Sequence, residues 1–300
     1  VKKLEFFPNQ TDIQSWLSLQ DSSDNLEFVW LGQAGFLFKK NKVKIGIDPY
    51  LSNSLGEKYQ GTHFPHIRMI EPPCEPETLA TLDVLCSTHG HSDHLDPGTL
   101  GPLYRCKGHT PLFVNPRAEI VKAHERGVPL VRLVTMNVDE TWTYVGNGAQ
   151  RVEVSAIPAA HEGLRYDNQG NCLYLGYVID FFGIRLFHSG DSIPYEGLVE
   201  RLSTLDIDIA FLPVNGRDEY RSKHGVPGNF TIQEAMDIAR SAKIPILVPH
   251  HFGLFEFNTV SPEEITAIIP AEGLQVVVPE LSLVYRYLSF PNEARGEEPI

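Results

Sequence analysis

Cysteine, positive charge and long apolar runs are what this 300-residue chain has least of. The 4 cysteines, Cys74, Cys86, Cys106 and Cys172, are scattered with no Cys-x-x-Cys spacing. That excludes a ribbon-type zinc site and argues against a disulfide framework. They read as reduced, partly buried thiols of a cytoplasmic protein, and Cys86, inside a β-type run, reads as a core residue. Lys and Arg total 25 against 38 Asp and Glu, a net charge of -13. A nucleic-acid enzyme ordinarily carries a basic face, so no nucleic-acid partner is expected. No apolar stretch approaches the roughly 20 residues of a membrane span, and no signal-peptide core follows Val1-Lys2-Lys3-Leu4-Glu5, so no membrane partner is expected either. Val1 is not Met, which fits a processed or truncated start.

What is present is a 42% hydrophobic chain, enough to bury one substantial core. The expected organisation is a single domain over 1–300, with an N-terminal helical extension over about 1–25 and a frayed polar tail over about 289–300. Thr11-Asp12-Ile13-Gln14 has a capping-box pattern and predicts a helix through Leu19. Strands are predicted at Leu26 to Leu31, Gly35 to Lys39 and Val43 to Asp48, with Gly32 and Gly35 read as a turn rather than a phosphate loop. Ser52 to Thr78 is a long irregular segment holding four prolines. Asp96-Pro97 and Asn115-Pro116 each place a capping residue before a proline, and the second predicts a helix ending near Gly127. Thr231 to Glu234 and Ser261 to Glu264 are further capping boxes.

The densest chemistry lies in His89-Gly90-His91-Ser92-Asp93-His94, directly after the apolar run Val84 to Thr88. Three imidazoles and a carboxylate released from a strand end can converge on one or two divalent cations. Partners follow downstream. His161 comes after the strand Val152 to Ile157, Asp191 after the strand ending at His188, and His250-His251 after Ile246 to Pro249. Gly190 permits a sharp turn before Asp191. Four apolar strands thus end in metal-competent side chains, and strand ends are where α/β layers place their chemistry.

The His89 to His94 string, His161, the Ser-Gly-Asp turn at Asp191 and Pro-x-His-Phe-Gly around His251 together resemble the metallo-β-lactamase superfamily. The stretches Trp30-Leu31-Gly32-Gln33-Ala34-Gly35, Leu186 to Ser192 and Leu247 to His251 are similar to its L-ascorbate-6-phosphate lactonase branch. The likeness runs from about Leu26 to Tyr287. It implies an α/β fold, a four-layer αββα sandwich with the metal site along the edge between two sheets. It also implies a ligand set: His89, His91 and His161 on one metal, Asp93, His94 and His251 on the other, and Asp191 bridging. Asp93 and Asp191 then have catalytic parts beside the metals. The lactonase branch need not carry histidine at position 161, so the resemblance speaks for metal more than for any one lactone.

The implied chemistry is hydrolysis by a metal-activated hydroxide, with Asp93 able to steer the water proton. Zinc is the default for so many histidines, and manganese and iron also suit the oxygen ligands. Asp48 is read as orienting a ligand histidine or as a turn cap, and His188, three residues before Asp191, as a residue behind the metal ligands or a satisfied core histidine. The register favours His251 as ligand and leaves His250 as a catalytic acid or hydrogen-bond donor. Arg217, in the locally basic run Asn215 to Asn229, is the candidate substrate-binding cation for a phosphate or carboxylate. The expected partner is a small-molecule substrate, phosphorylated or carboxylated, such as a sugar-phosphate lactone; a homo-oligomer is compatible with the sequence. The alternatives are a phosphodiesterase or nuclease with the same metal string, and a non-catalytic metal-binding or sensor protein.

Overall fold

Along most strands of the first sheet, odd and even residues enter two different cores, and that alternation builds the molecule. The computed structural model describes residues 2–7, 11–19, 25–146, 150–269 and 273–289. Eight strands form the first sheet: β1 (Lys2–Phe6), β2 (Leu26–Gly32), β3 (Gly35–Lys40), β4 (Val43–Ile47), β5 (Val84–Cys86), β6 (Leu112–Pro116), β7 (Leu133–Met136) and the last strand of the chain, Val284–Ser289. That last strand lies between β1 and β2, antiparallel to both. Seven strands form the second: β8 (Thr141–Val145), β9 (Arg151–Pro158), β10 (Leu175–Phe181), β11 (Ile184–His188), β12 (Ile209–Pro213), β13 (Ile246–His250) and β14 (Gln275–Val276), joined in chain order.

Phe28, Phe36, Phe38, Val84, Cys86 and Val114 face inward and meet Tyr177, Phe181 and Phe211 of the second sheet. Their neighbours Val29, Leu31, Leu37, Leu85 and Phe113 face outward and are covered by helices α1 (Ile13–Ser18), α3 (Pro97–Arg105) and α4 (Ile120–Glu125); α2 (Ser54–Lys58) lies in the excursion before α3. On the far side of the second sheet α5 (Leu198–Ser203), α7 (Ile232–Ser241) and α8 (Pro262–Ile268) bury Leu202, Met236 and Ile265. The layers are therefore helix, sheet, sheet, helix. The short α6 (Glu219–Lys223) stands in the loop after β12 and buries no residue.

Both sheets join antiparallel hairpins to a parallel half, β4 to β7 and β11 to β14. In a parallel half every strand ends on the same edge, so β5, β11 and β13 deliver their following residues to one place.

Local signals hold where capping chemistry is explicit. Asp96 caps α3, and complete capping boxes open α7 and α8. They shift where pairing wins. Residues 2–6 form a strand beside the last one, not part of a helical extension, because Leu4 gains a buried place in the inter-sheet core. The N-terminal helix is capped by Asp12, one residue later than the Thr11 box predicts. Asn115 and Pro116 finish β6, and α4 begins only at Ile120. Apart from Ser289, the C-terminal tail lies outside the described residues. Among the described residues, no helix is long and apolar enough to cross a membrane.

Candidate metal centre

The turn from His89 to His94 is pinned before any ligand is considered. Ser87 Oγ donates to the carbonyls of His89 and His94 at 3.0 and 3.1 Å, and Arg126 donates to those of His91 and Leu95 at 3.3 and 2.5 Å. A backbone held at both ends presents its imidazoles with little freedom left to lose.

The strand ends bring His89, His91, Asp93, His94, His161, Asp191 and His251 together. Three overlapping donor groups result: His89, His91, His161; then His89, His94, Asp191; then Asp93, His94, His251. Within each, the nearest ligand atoms lie within 4.8 Å of one another. Asp191 faces both ends. Its Oδ1 is 3.3 Å from Nε2 of both His94 and His251, and its Oδ2 is 3.8 Å from His161 Nε2. Asp93 Oδ2 is 3.6 and 3.4 Å from the same His94 and His251 nitrogens. A tetrahedral ion with bonds of roughly 2.1 Å has ligand-to-ligand edges of about 3.4 Å, so these four atoms already have the spacing of a coordination shell.

The polar atoms themselves fit a cation. His89 Nε2, His94 Nε2, both His161 nitrogens and Asp191 Oδ1 are buried without a hydrogen bond, a costly arrangement unless something else satisfies them. Nitrogen and carboxylate donors in this mixture suit zinc, manganese or iron. The electrostatics agree. Burial alone would depress His94 and His251, but Asp191, with Asp93 beside it, overrides burial and raises His94 well above its ordinary value and His251 to about 9. His89 and His161 are depressed by burial, His161 to about 4, leaving them neutral ligands. The carboxylates thus draw positive charge to the His94 and His251 end.

A supporting layer holds the rings. Asp48, buried with φ at 45°, accepts from His94 Nδ1 at 2.7 Å, and from the Thr88 amide at 2.8 Å and its hydroxyl at 2.5 Å. It is an orienter of His94, so His94 Nε2 is left to face the cluster. The Gly190 amide donates to His188 Nδ1 at 3.1 Å, which leaves His188 Nε2 to donate to the Ala34 carbonyl at 2.9 Å. His188 therefore braces the turn that carries Asp191.

Two expected residues lie elsewhere. His250 is fully buried, its ring stacked on His188 with centroids 4.6 Å apart and edge-on to Phe36. Alternation along β13 turns it into the inter-sheet core, while the left-handed backbone of His251, φ 62°, turns that residue to the cluster. His250 is not among the residues around the cavity in front of the ligands, so its placement does not match an acid that meets substrate. Arg217 is a second correction. It makes a bidentate pair with Glu234, both contacts at 2.6 Å, and donates to the Asn229 carbonyl, away from that cavity. Glu234 is the capping-box residue of α7, a partner one helix distant that a local charge count does not see.

The cavity itself, about 560 Å³, opens over His91, Asp93, His161, Asp191 and His251. Sequence reasoning missed two features of the site. Gln33, in the turn between β2 and β3, brings its amide nitrogen to 2.9 Å from Asp93 Oδ2 and 3.0 Å from His251 Nε2; its place in the turn between Gly32 and Gly35 was the available signal. Tyr59, Phe64, His66 and Phe255 form a ring-rich wall that comes largely from the irregular segment before β5.

Comparison with known proteins places this geometry. Residues 44–252 match the Beta-lactamase superfamily domain. A UPF0173 metal-dependent hydrolase of Thermoplasma acidophilum is 26% identical over 263 residues, covering 86% of this chain and 97% of the relative. An isothiocyanate hydrolase from Delia radicum gut bacteria shares the fold with a TM-score of 0.66 at 15% identity, over 88% of this chain and 99% of that one. A metallo hydrolase of Ignicoccus hospitalis does so with a TM-score of 0.63 at 18% identity, over 89% and 100%. With its family match spanning well over half the chain and its histidines and aspartates gathered at one sheet edge, this protein belongs to the β-lactamase superfamily.

Proposed function

We propose that this protein is a hydrolase that holds two divalent cations and uses them on a small ester- or lactone-type electrophile. The observation that carries this reading is the overlap of the three donor groups around Asp191 at the floor of an open cavity. His89, His91 and His161 would hold one cation, Asp93, His94 and His251 the other, with Asp191 facing both. When bound, such a pair lowers the pKa of water toward neutrality and polarises the electrophile's oxygen. Asp93, the more exposed of the two carboxylates that line the cavity, would take the water proton. Asp48 and His188 keep His94 and Asp191 in place during that transfer. His250 has no part in proton transfer, and leaving-group protonation falls to Asp93 or to solvent in the cavity. An anionic group on the substrate would meet Lys58 and Lys122 at the cavity wall rather than Arg217.

The test is metal analysis together with turnover. The purified protein should carry about two metals per chain and hydrolyse members of a panel of lactones, carboxylic esters and isothiocyanates, the last included because of the similar structure's named activity. Chelation should abolish turnover and metal return restore it. Bis-p-nitrophenyl phosphate is the comparison substrate: if it alone is cleaved, the phosphodiesterase reading replaces this one. Full activity in a rigorously chelated sample would end the metal reading.

A further inference from the structure

We propose that the substrate carries a flat apolar group, an aryl ring or its equivalent, which seats against an aromatic wall beside the metal centre. This rests on the hydrolase reading and names the class of substrate that the same cavity takes.

The wall is assembled from three separate excursions of the chain. The segment after α2 contributes Tyr59, Phe64 and His66, the loop after α6 contributes His224, and the turn after β13 contributes Phe255. The rings lock one another. Tyr59 stacks on His66 at 4.3 Å, and His66 meets Phe255 edge-on at 5.0 Å. Phe64 stacks on Phe257 at 4.8 Å and stands edge-on to His224 at 5.8 Å. His63, stacked on His224 at 4.8 Å, also hydrogen-bonds the Tyr220 hydroxyl at 2.5 Å and so ties two of the excursions together. Leu55, Val226 and Pro227 also line the cavity. A cavity with rings along its wall and the His and Asp cluster beside them can hold an organic body by its faces and present one reactive group to that cluster.

The cations around the cavity do not form an anion cradle that would argue for a different body. Lys122 is paired with Glu119 at 2.6 Å, and Arg126 is committed to the carbonyls of His91 and Leu95. Lys58 lies 4.8 Å over the ring of Tyr59. None of the three presents the two-pronged geometry by which Arg recognises phosphate or carboxylate. The rings outnumber the cations and are preorganised. Selection by the substrate's apolar face follows.

Binding and turnover test this separately. The metal-loaded protein is titrated calorimetrically with 3-phenylpropanamide and with propanamide, two neutral probes that differ by a phenyl ring. The wild type should bind the phenyl probe about ten-fold or more tightly, the scale set by burying a ring against apolar groups. Phe64→Ala should remove most of that preference, Phe64→Leu should retain part of it, and metal content should stay unchanged in both. In turnover, the preference for dihydrocoumarin over γ-butyrolactone should fall in parallel. Equal affinity for the two probes in the wild type, or a preference untouched by Phe64→Ala, would overturn the proposal. Phenyl-selective binding without any hydrolysis would leave the wall standing and sink the hydrolase reading. Hydrolysis with no phenyl preference would do the reverse.

Discussion

At the scale of single residues, the decisive question is which neighbour of a pair faces the cations. His250 and His251 are adjacent, equally buried and chemically identical, and only backbone direction separates them. His251→Ala should empty one cation position, measured by metal analysis after dialysis. His250→Ala should leave metal stoichiometry intact and instead cost about 2 to 4 kcal/mol of stability, because it opens a cavity among Phe36, His188 and the inter-sheet core. Metal loss from His250→Ala with retention in His251→Ala would shift the ligand assignment by one residue. Asp48 allows a finer test. Asp48→Asn preserves shape but weakens the acceptor that fixes His94, and groups of this kind typically govern metal affinity by about 10-fold to 100-fold. A competition titration with a chromophoric chelator reads that change directly, and wild-type affinity in the variant would show that His94 needs no orienter.

At the scale of elements, the site depends on short turns whose backbone is forced. Gly190 sits at φ 61°, and a Cβ there would stand 2.6 Å from the Thr88 Cβ. Thr88 in turn donates to Asp48, which orients His94, so the Asp191 turn of one sheet is packed directly on the support of a ligand from the other. Gly190→Ala should therefore cost about 1 to 2 kcal/mol for the left-handed backbone, with a further penalty for displacing Thr88, and should weaken metal binding as well. Thermal unfolding and the same chelator titration would check both effects; a variant with unchanged metal affinity would break the proposed link between the two turns. The same elements show what a sequence exposes. The ligand turns are legible because strand hydrophobicity ends abruptly in His and Asp, a local pattern. Asp48 could be suspected for the same reason. The fate of Arg217 is not legible, since its partner Glu234 reaches it through the packing of α7, and the ring wall is hidden because its members are spread over three loops that become neighbours only in the fold. The β1 strand was masked by polar residues around Leu4, whose value lies in a partner strand some 280 residues away.

At the scale of the whole molecule, the ligands divide between the two sheets. His89, His91, Asp93 and His94 follow β5 of the first sheet, whereas His161, Asp191 and His251 follow β9, β11 and β13 of the second. Any cation shared across that line is a cross-link between the layers, and it binds the folded arrangement far better than an unfolded chain. Linkage then converts occupancy into stability: free metal at 100 times its dissociation constant contributes about 2.7 kcal/mol per site. In a chain of this size each kcal/mol moves the midpoint by roughly 2 °C, so chelation should lower the melting temperature by about 5 °C or more. The effect should be reversed by returning metal and should be smaller in a His94→Ala, Asp191→Ala double variant, which loses two of the ligands that face across the sheets while His89, His91 and His161 remain. Differential scanning calorimetry of the loaded, chelated and reconstituted protein makes the comparison. Identical melting of all three wild-type samples, with metal loss confirmed by elemental analysis, would mean that the cations do not tie the two sheets together.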